Sequence, residues 1–135
     1  VLHMPDGLTL IDDTYNASVQ SVLAAIDTLA AMPGYRVLVF GDMGELGHEA
    51  ADLHRQVGEH AKARGVDLLL TVGSLAEYAA VAGGGQHFPD KGSLFAALGK
   101  LLAEKEGVTL LAKGARSSRM EEVIEFVKSS KEQTC

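Results

Sequence analysis

Three nearly unbroken apolar runs, at residues 35–40, 66–72 and 108–112, constrain this chain more than any other feature. A strand with one wet face alternates apolar and polar residues, whereas a strand apolar at successive positions must be covered on both faces. That condition belongs to a parallel sheet held between two layers of helices. The intervening segments can supply those helices. Residues 18–32 carry apolar side chains at Val19, Val22, Leu23, Ile26, Leu29 and Ala30, a helical period that Pro33-Gly34 ends. Residues 49–64 predict a second helix stopped by Gly65, and a short one reaches about residue 81. Residues 93–106 predict another, capped by Ser93 or Asp90, and 118–128 the last. Residues 1–11 read as a hairpin around Pro5-Asp6-Gly7 with its first strand at an edge, 83–85 as a flexible glycine loop, and 86–88 as a short strand. The expected architecture is α/β: a doubly wound, Rossmann-like three-layer sandwich on a six-stranded sheet, with five parallel strands and one antiparallel edge strand.

The 135 residues suit a single domain, 1–135. A net charge of −6 leaves no basic stripe to neutralise phosphates, which argues against nucleic acid as a partner. No apolar run approaches the roughly 20 residues that span a bilayer, so no membrane partner is expected. The single cysteine, Cys135, and the lack of a basic segment leading into an apolar stretch fit a reducing cytoplasm. Val1 opens in mid-strand, and the expectation is one domain of a longer protein.

In an open α/β sheet, ligands bind beyond the carboxyl ends of the strands. Here the first long strand runs into Asp12-Asp13-Thr14-Tyr15-Asn16, just before a helix start near Ser18. A carboxylate there can accept hydrogen bonds from ribose hydroxyls, although one aspartate alone could equally be a helix cap. The second strand ends in Gly41-Asp42-Met43-Gly44-Glu45-Leu46-Gly47, whose glycines lack the G-x-G-x-x-G spacing of a dinucleotide site; Asp42 is the candidate functional residue. No G-x-x-x-x-G-K-[ST] occurs, so the chain cannot be expected to transfer a phosphoryl group alone. Lys113, Arg116, Ser117 and Ser118 gather two cations and two hydroxyls at a strand end, a set that favours an anion such as a substrate carboxylate. His48, His54 and His60 are six apart and do not share a helix face as metal ligands would, so no metal site is expected.

The motifs Asp12-Asp13-Thr14-Tyr15-Asn16-Ala17, Gly41-Asp42-Met43-Gly44-Glu45-Leu46-Gly47, Leu53-His54 and Lys113-Gly114-Ala115-Arg116-Ser117-Ser118-Arg119-Met120-Glu121, in this order and spacing, resemble the C-terminal domain of the Mur ligases. The likeness is greatest to the branch that adds a D-alanyl-D-alanine dipeptide, and it covers essentially the whole chain. It departs from the usual pattern at Ser18-Val19, where Asn-Pro is common, and at Ala115, where serine often stands. The resemblance implies the third domain of a monomeric, cytoplasmic bacterial enzyme of peptidoglycan synthesis, inactive in isolation. It implies ATP and Mg²⁺, the metal held mainly by a central domain, and D-Ala-D-Ala and UDP-MurNAc-tripeptide as substrates joined through an acyl phosphate. It assigns Asp13, Tyr15 and Asn16 to the nucleotide, and Asp42, Lys113, Arg116, Ser117 and Ser118 to the incoming dipeptide. Two other readings are a related ligase adding a single amino acid, and a free-standing α/β module that binds a nucleotide or a protein.

Overall fold

A computed structural model describes residues 1–14 and 18–132. The order of elements is β1 (Leu2–His3), β2 (Thr9–Asp13), α1 (Val19–Ala30), β3 (Tyr35–Gly41), α2 (Ala50–Ala63), β4 (Leu68–Val72), α3 (Ala76–Gly83), β5 (Gln86–Phe88), α4 (Lys91–Glu104), β6 (Val108–Lys113) and α5 (Glu121–Glu132). They build one six-stranded sheet, ordered β1-β2-β6-β3-β4-β5. Only β1 runs antiparallel, paired with β2 through Leu2↔Leu10, and the expected α/β architecture is the one found.

The unalternated runs are explained by where successive side chains go. Val37 and Val39 of β3 join the core under α4 and α5, with Leu94, Leu98, Leu102, Val123, Ile124 and Val127. Leu38 and Phe40 face the other way, onto Val22, Ile26 and Leu29 of α1 and Val57 and Ala61 of α2. Each strand of this kind serves two cores, so neither of its faces can be polar.

Arg36 is the exception within that run, and its position explains it. At the amino end of the sheet, its Nη1 donates to Ala30 O at 2.6 Å and its Nη2 to Gly65 O at 2.7 Å, joining the ends of α1 and α2. Asp67 accepts from the Arg36 backbone N–H at 2.8 Å and from Nε at 3.1 Å. The Arg36 backbone hydrogen bond, then its guanidinium, hold the Asp67 carboxyl below its ordinary value of 3.8. A depressed folded-state value means stability present above 3.8 and lost as pH falls through the folded value. Asp67→Asn should therefore melt earlier than the parent at neutral pH, with the gap closing in melts run below 3.8.

Several boundaries differ from the sequence reading. The helix α4 begins at Lys91, two residues early, and of the two expected caps Asp90 is the one found, accepting from Ser93 N–H at 2.7 Å. The triplet 83–85 is not a free loop. Gly83 ends α3 against α2, where a Cβ would lie 2.6 Å from Gly58 O, and Gly84 turns left-handed at φ 68° to stop the helix. The last helix starts at Glu121, not 118, because Arg116–Ser118 form a 3-10 turn and Arg119 adopts φ 50°.

Candidate functional site

The carboxyl ends of β2, β6 and β3 lie side by side, which brings the motifs of three distant segments together. Asp13 is in register with Lys113, and Lys113 with Phe40, one residue before the Gly41-Asp42 turn. The Lys113 side chain is 2% exposed, and its Nζ stands 3.2 Å from Oδ1 of the half-exposed Asp13. The neighbouring Asp12 is occupied locally: its Oδ1 accepts from Thr14 Oγ1 at 2.7 Å and from Thr14 N–H at 3.3 Å. Neither aspartate is the helix cap. That part belongs to Ser18, which accepts from Ser21 N–H while Ser21 Oγ accepts from Ser18 N–H.

Two clefts open along this edge. One, of about 540 Å³, is lined by Asp12, Asp13, Thr14, Arg116, Arg119 and Glu121. The second, of about 270 Å³, is lined by Asp42, Val72, Gly73, Lys91, Ser117 and Ser118. The residues read as one anion-binding loop are thus divided: Arg116 faces the Asp13 side, while Ser117 and Ser118 face Asp42. Tyr15 and Asn16 lie outside the described residues.

Asp42 joins the loops. Its Oδ1 accepts from the backbone N–H groups of Leu75 and Ala76, at 3.0 and 2.7 Å, at the start of α3. Its carbonyl accepts from Ala115 N–H at 2.9 Å and from Ser118 Oγ at 2.8 Å. The approach is close enough to require glycine. A Cβ on Gly73 would lie 2.4 Å from Asp42 Oδ1, and one on Gly114 would lie 2.6 Å from Met120 Cγ. Because α5 begins only at Glu121, with Glu121 and Glu122 in its first turn, its amino end is already complemented by carboxylates. The positive charge at this edge comes from the side chains of Lys113, Arg116 and Arg119 instead.

Sequence reasoning left Thr14, Gly73, Lys91, Arg119 and Glu121 unassigned. Lys91 has no local signal of a role. It reaches the site only because α4 packs beside α5, where its Nζ donates to Arg119 O at 3.2 Å and pairs with Glu122. Among the described residues no group of three His, Cys, Asp or Glu side chains could hold a metal ion, and no helix is long and apolar enough to cross a membrane.

The profile of the family "Mur ligase, glutamate ligase domain" matches residues 1–116. The chain belongs to this family. Among curated relatives of this Mur ligase domain, the UDP-N-acetylmuramoyl-tripeptide–D-alanyl-D-alanine ligase of Escherichia coli (strain K12) is 50% identical over 124 residues, 91% of this chain and 27% of that protein. The enzyme of the same name from Haemophilus influenzae is 37% identical over 131 residues, covering 94% of this chain and 29% of its own. The domain therefore spans between a quarter and a third of these relatives' length. A crystal structure of MurF ligase from Thermotoga maritima in complex with ADP superposes with a TM-score of 0.80 at 26% identity, over 96% of this chain and 30% of that one. The corresponding ligase from Acinetobacter baumannii gives a TM-score of 0.84 at 28% identity, over 96% of this chain and 28% of that one. The Mur ligase domain is thus of the MurF type, in sequence and in fold.

Proposed function

We propose that this domain is the lid of an ATP-dependent ligase that joins D-Ala-D-Ala to UDP-MurNAc-tripeptide. In this reaction the γ-phosphoryl group of ATP passes to the tripeptide carboxylate, forming an acyl phosphate and ADP. The dipeptide amine then attacks the acyl carbon, and the tetrahedral adduct loses its proton and expels phosphate. The chain contains no G-x-x-x-x-G-K-[ST] loop, so the domain alone is taken to be inactive, and phosphoryl transfer is assigned to the rest of the enzyme. Mg²⁺, which would neutralise phosphate charge, is assigned there too. We read the whole enzyme as a cytoplasmic monomer.

The observation that carries this reading is the meeting of Asp13, Lys113 and Arg116 at one strand edge, with Asp42, Ser117 and Ser118 on the adjoining wall. Asp13 is suited to accept from ribose hydroxyls, with Tyr15 and Asn16 flanking the nucleotide. Lys113, Arg116 and the serine hydroxyls suit the carboxylate of the dipeptide. The Asp13–Lys113 pair joins the two halves, which fits a lid that must engage both substrates on closing. That a relative was crystallised with ADP supports the nucleotide side.

One kinetic comparison in the full-length enzyme tests the assignment. Asp13→Ala is expected to raise the KM for ATP about tenfold, the loss of a hydrogen bond to a charged acceptor. Arg116→Ala is expected to raise the KM for D-Ala-D-Ala more than that for ATP. Because Arg116 lines the Asp13 cleft, a second reading has it contact the nucleotide. A larger effect on the ATP KM would establish that reading in place of the first.

A further inference from the structure

His54 is a fully enclosed polar side chain near the site, and it lines neither cleft. It projects from α2 into the core, fully buried, with its ring tilted at 44° to Phe40 and 5.7 Å from it. Both ring nitrogens are engaged. Nε2 accepts from Met43 N–H at 2.9 Å, so the proton sits on Nδ1, which donates to Ala50 O at 2.6 Å in its own helix.

The partner of Nε2 is the informative part. Met43 N–H and Asp42 C=O belong to the same peptide unit, which is planar and rigid. His54 holds the N–H end of that plane. The C=O end accepts from Ala115 N–H and Ser118 Oγ, at 2.9 and 2.8 Å. A rotation of the plane that breaks one end therefore breaks the other, and accepting from the N–H also strengthens the carbonyl as an acceptor. We propose that His54 is a positioning residue for the ligase reaction: through the 42–43 peptide plane it sets the 115–118 loop, and so the placement of Ser117 and Ser118. The inference rests on the reading of that wall as the dipeptide side.

A merely structural histidine and a positioning one differ in which nitrogen matters. In the full-length ligase, His54→Asn keeps a donor near the Nδ1 position, for Ala50 O, and removes the acceptor for Met43. His54→Gln places a carbonyl oxygen near the Nε2 position and restores that acceptor. Both lose the ring against Phe40, so both should lower Tm by similar amounts. The expected result is that H54N raises the KM for D-Ala-D-Ala about tenfold, the loss of one buried hydrogen bond. H54Q should stay within about threefold of the parent. Equal KM values in the two variants, for D-Ala-D-Ala and for ATP alike, would overturn the proposal. If H54N raises the ATP KM instead and H54Q repairs it, the positioning role stands and the dipeptide reading of the wall falls. Should H54N fail to accumulate, H54Q decides alone: a parental dipeptide KM in a destabilised enzyme supports the role of the acceptor, and a raised one overturns it.

Discussion

Replacing Gly58 by alanine is expected to destabilise the domain by about 3 kcal/mol or more, at the upper end of what overpacking costs. Helix propensity alone predicts the opposite sign, since glycine within a helix is about 1 kcal/mol worse than alanine. Packing reverses it. A Cβ on Gly58 would lie 2.0 Å from Ala79 O and 2.8 Å from Ala79 C, both backbone atoms of α3 that no rotamer change can move aside. A Cβ on Gly83, at the end of α3, would likewise lie 2.6 Å from Gly58 O, so the two helices are in close backbone contact there as well. The two helices must part, and α3 would lift the buried Ala76 and Ala79 out of the core that covers β3 and β4. Gly99 in α4 supplies the control. Its Cβ would sit 3.6 Å from Phe126 Cζ, an ordinary contact, so Gly99→Ala is expected to stabilise by about 0.5–1 kcal/mol. Thermal melts of the two variants should move in opposite directions. A stabilising Gly58→Ala would refute the close crossing of α2 and α3.

Lys113→Ala is expected to be the most damaging change at the site, costing about 3 kcal/mol through its buried stem and the broken ion pair. The ammonium is held at the end of β6, 3.2 Å from Asp13 Oδ1, and the side chain is 2% exposed. Asp13 is 43% exposed, so water compensates part of the lost attraction on that side. Most of the cost then lies in the vacated volume. Lys113→Met, which refills that volume, is expected to recover the larger part of the stability. On the proposed assignment it is not expected to recover turnover in the full-length enzyme, because methionine has no charge to orient Asp13 or to meet a substrate carboxylate. Denaturant melts and ligase rates on the two variants separate the effects. Full activity in Lys113→Met would remove the cation from the site.

These two positions show how unequally the chain discloses itself. Lys113 was singled out in advance for its place at the end of an apolar strand, followed by glycine and hydroxyls. Gly58 was not. It sits mid-helix, where no turn or motif accounts for it, and its reason is the backbone of a helix some twenty residues away. The onset of α5 was misplaced for a related cause. Arg116 to Ser118 are compatible with a helical turn, and what interrupts them is their docking onto the Asp42 carbonyl, a contact across 76 residues of sequence. Asp42 was singled out for its place at a strand end. That its carboxylate would accept the first amides of α3 depends on the approach of Gly73.

The layer architecture and the set of strands follow from local chemistry: hydrophobic period, turn residues and caps act within a few residues and can be read where they stand. The same holds for the family, whose motifs are contiguous. How those motifs share a surface could not be read in this way. The placement of β6 between β2 and β3 puts Lys113 beside Asp13, and the 3-10 turn at Arg116–Ser118 presents Arg116 to one cleft and Ser117 and Ser118 to the other. Those outcomes depend on contacts between segments about 70 to 100 residues apart, which form only when the two cores close on either side of the sheet.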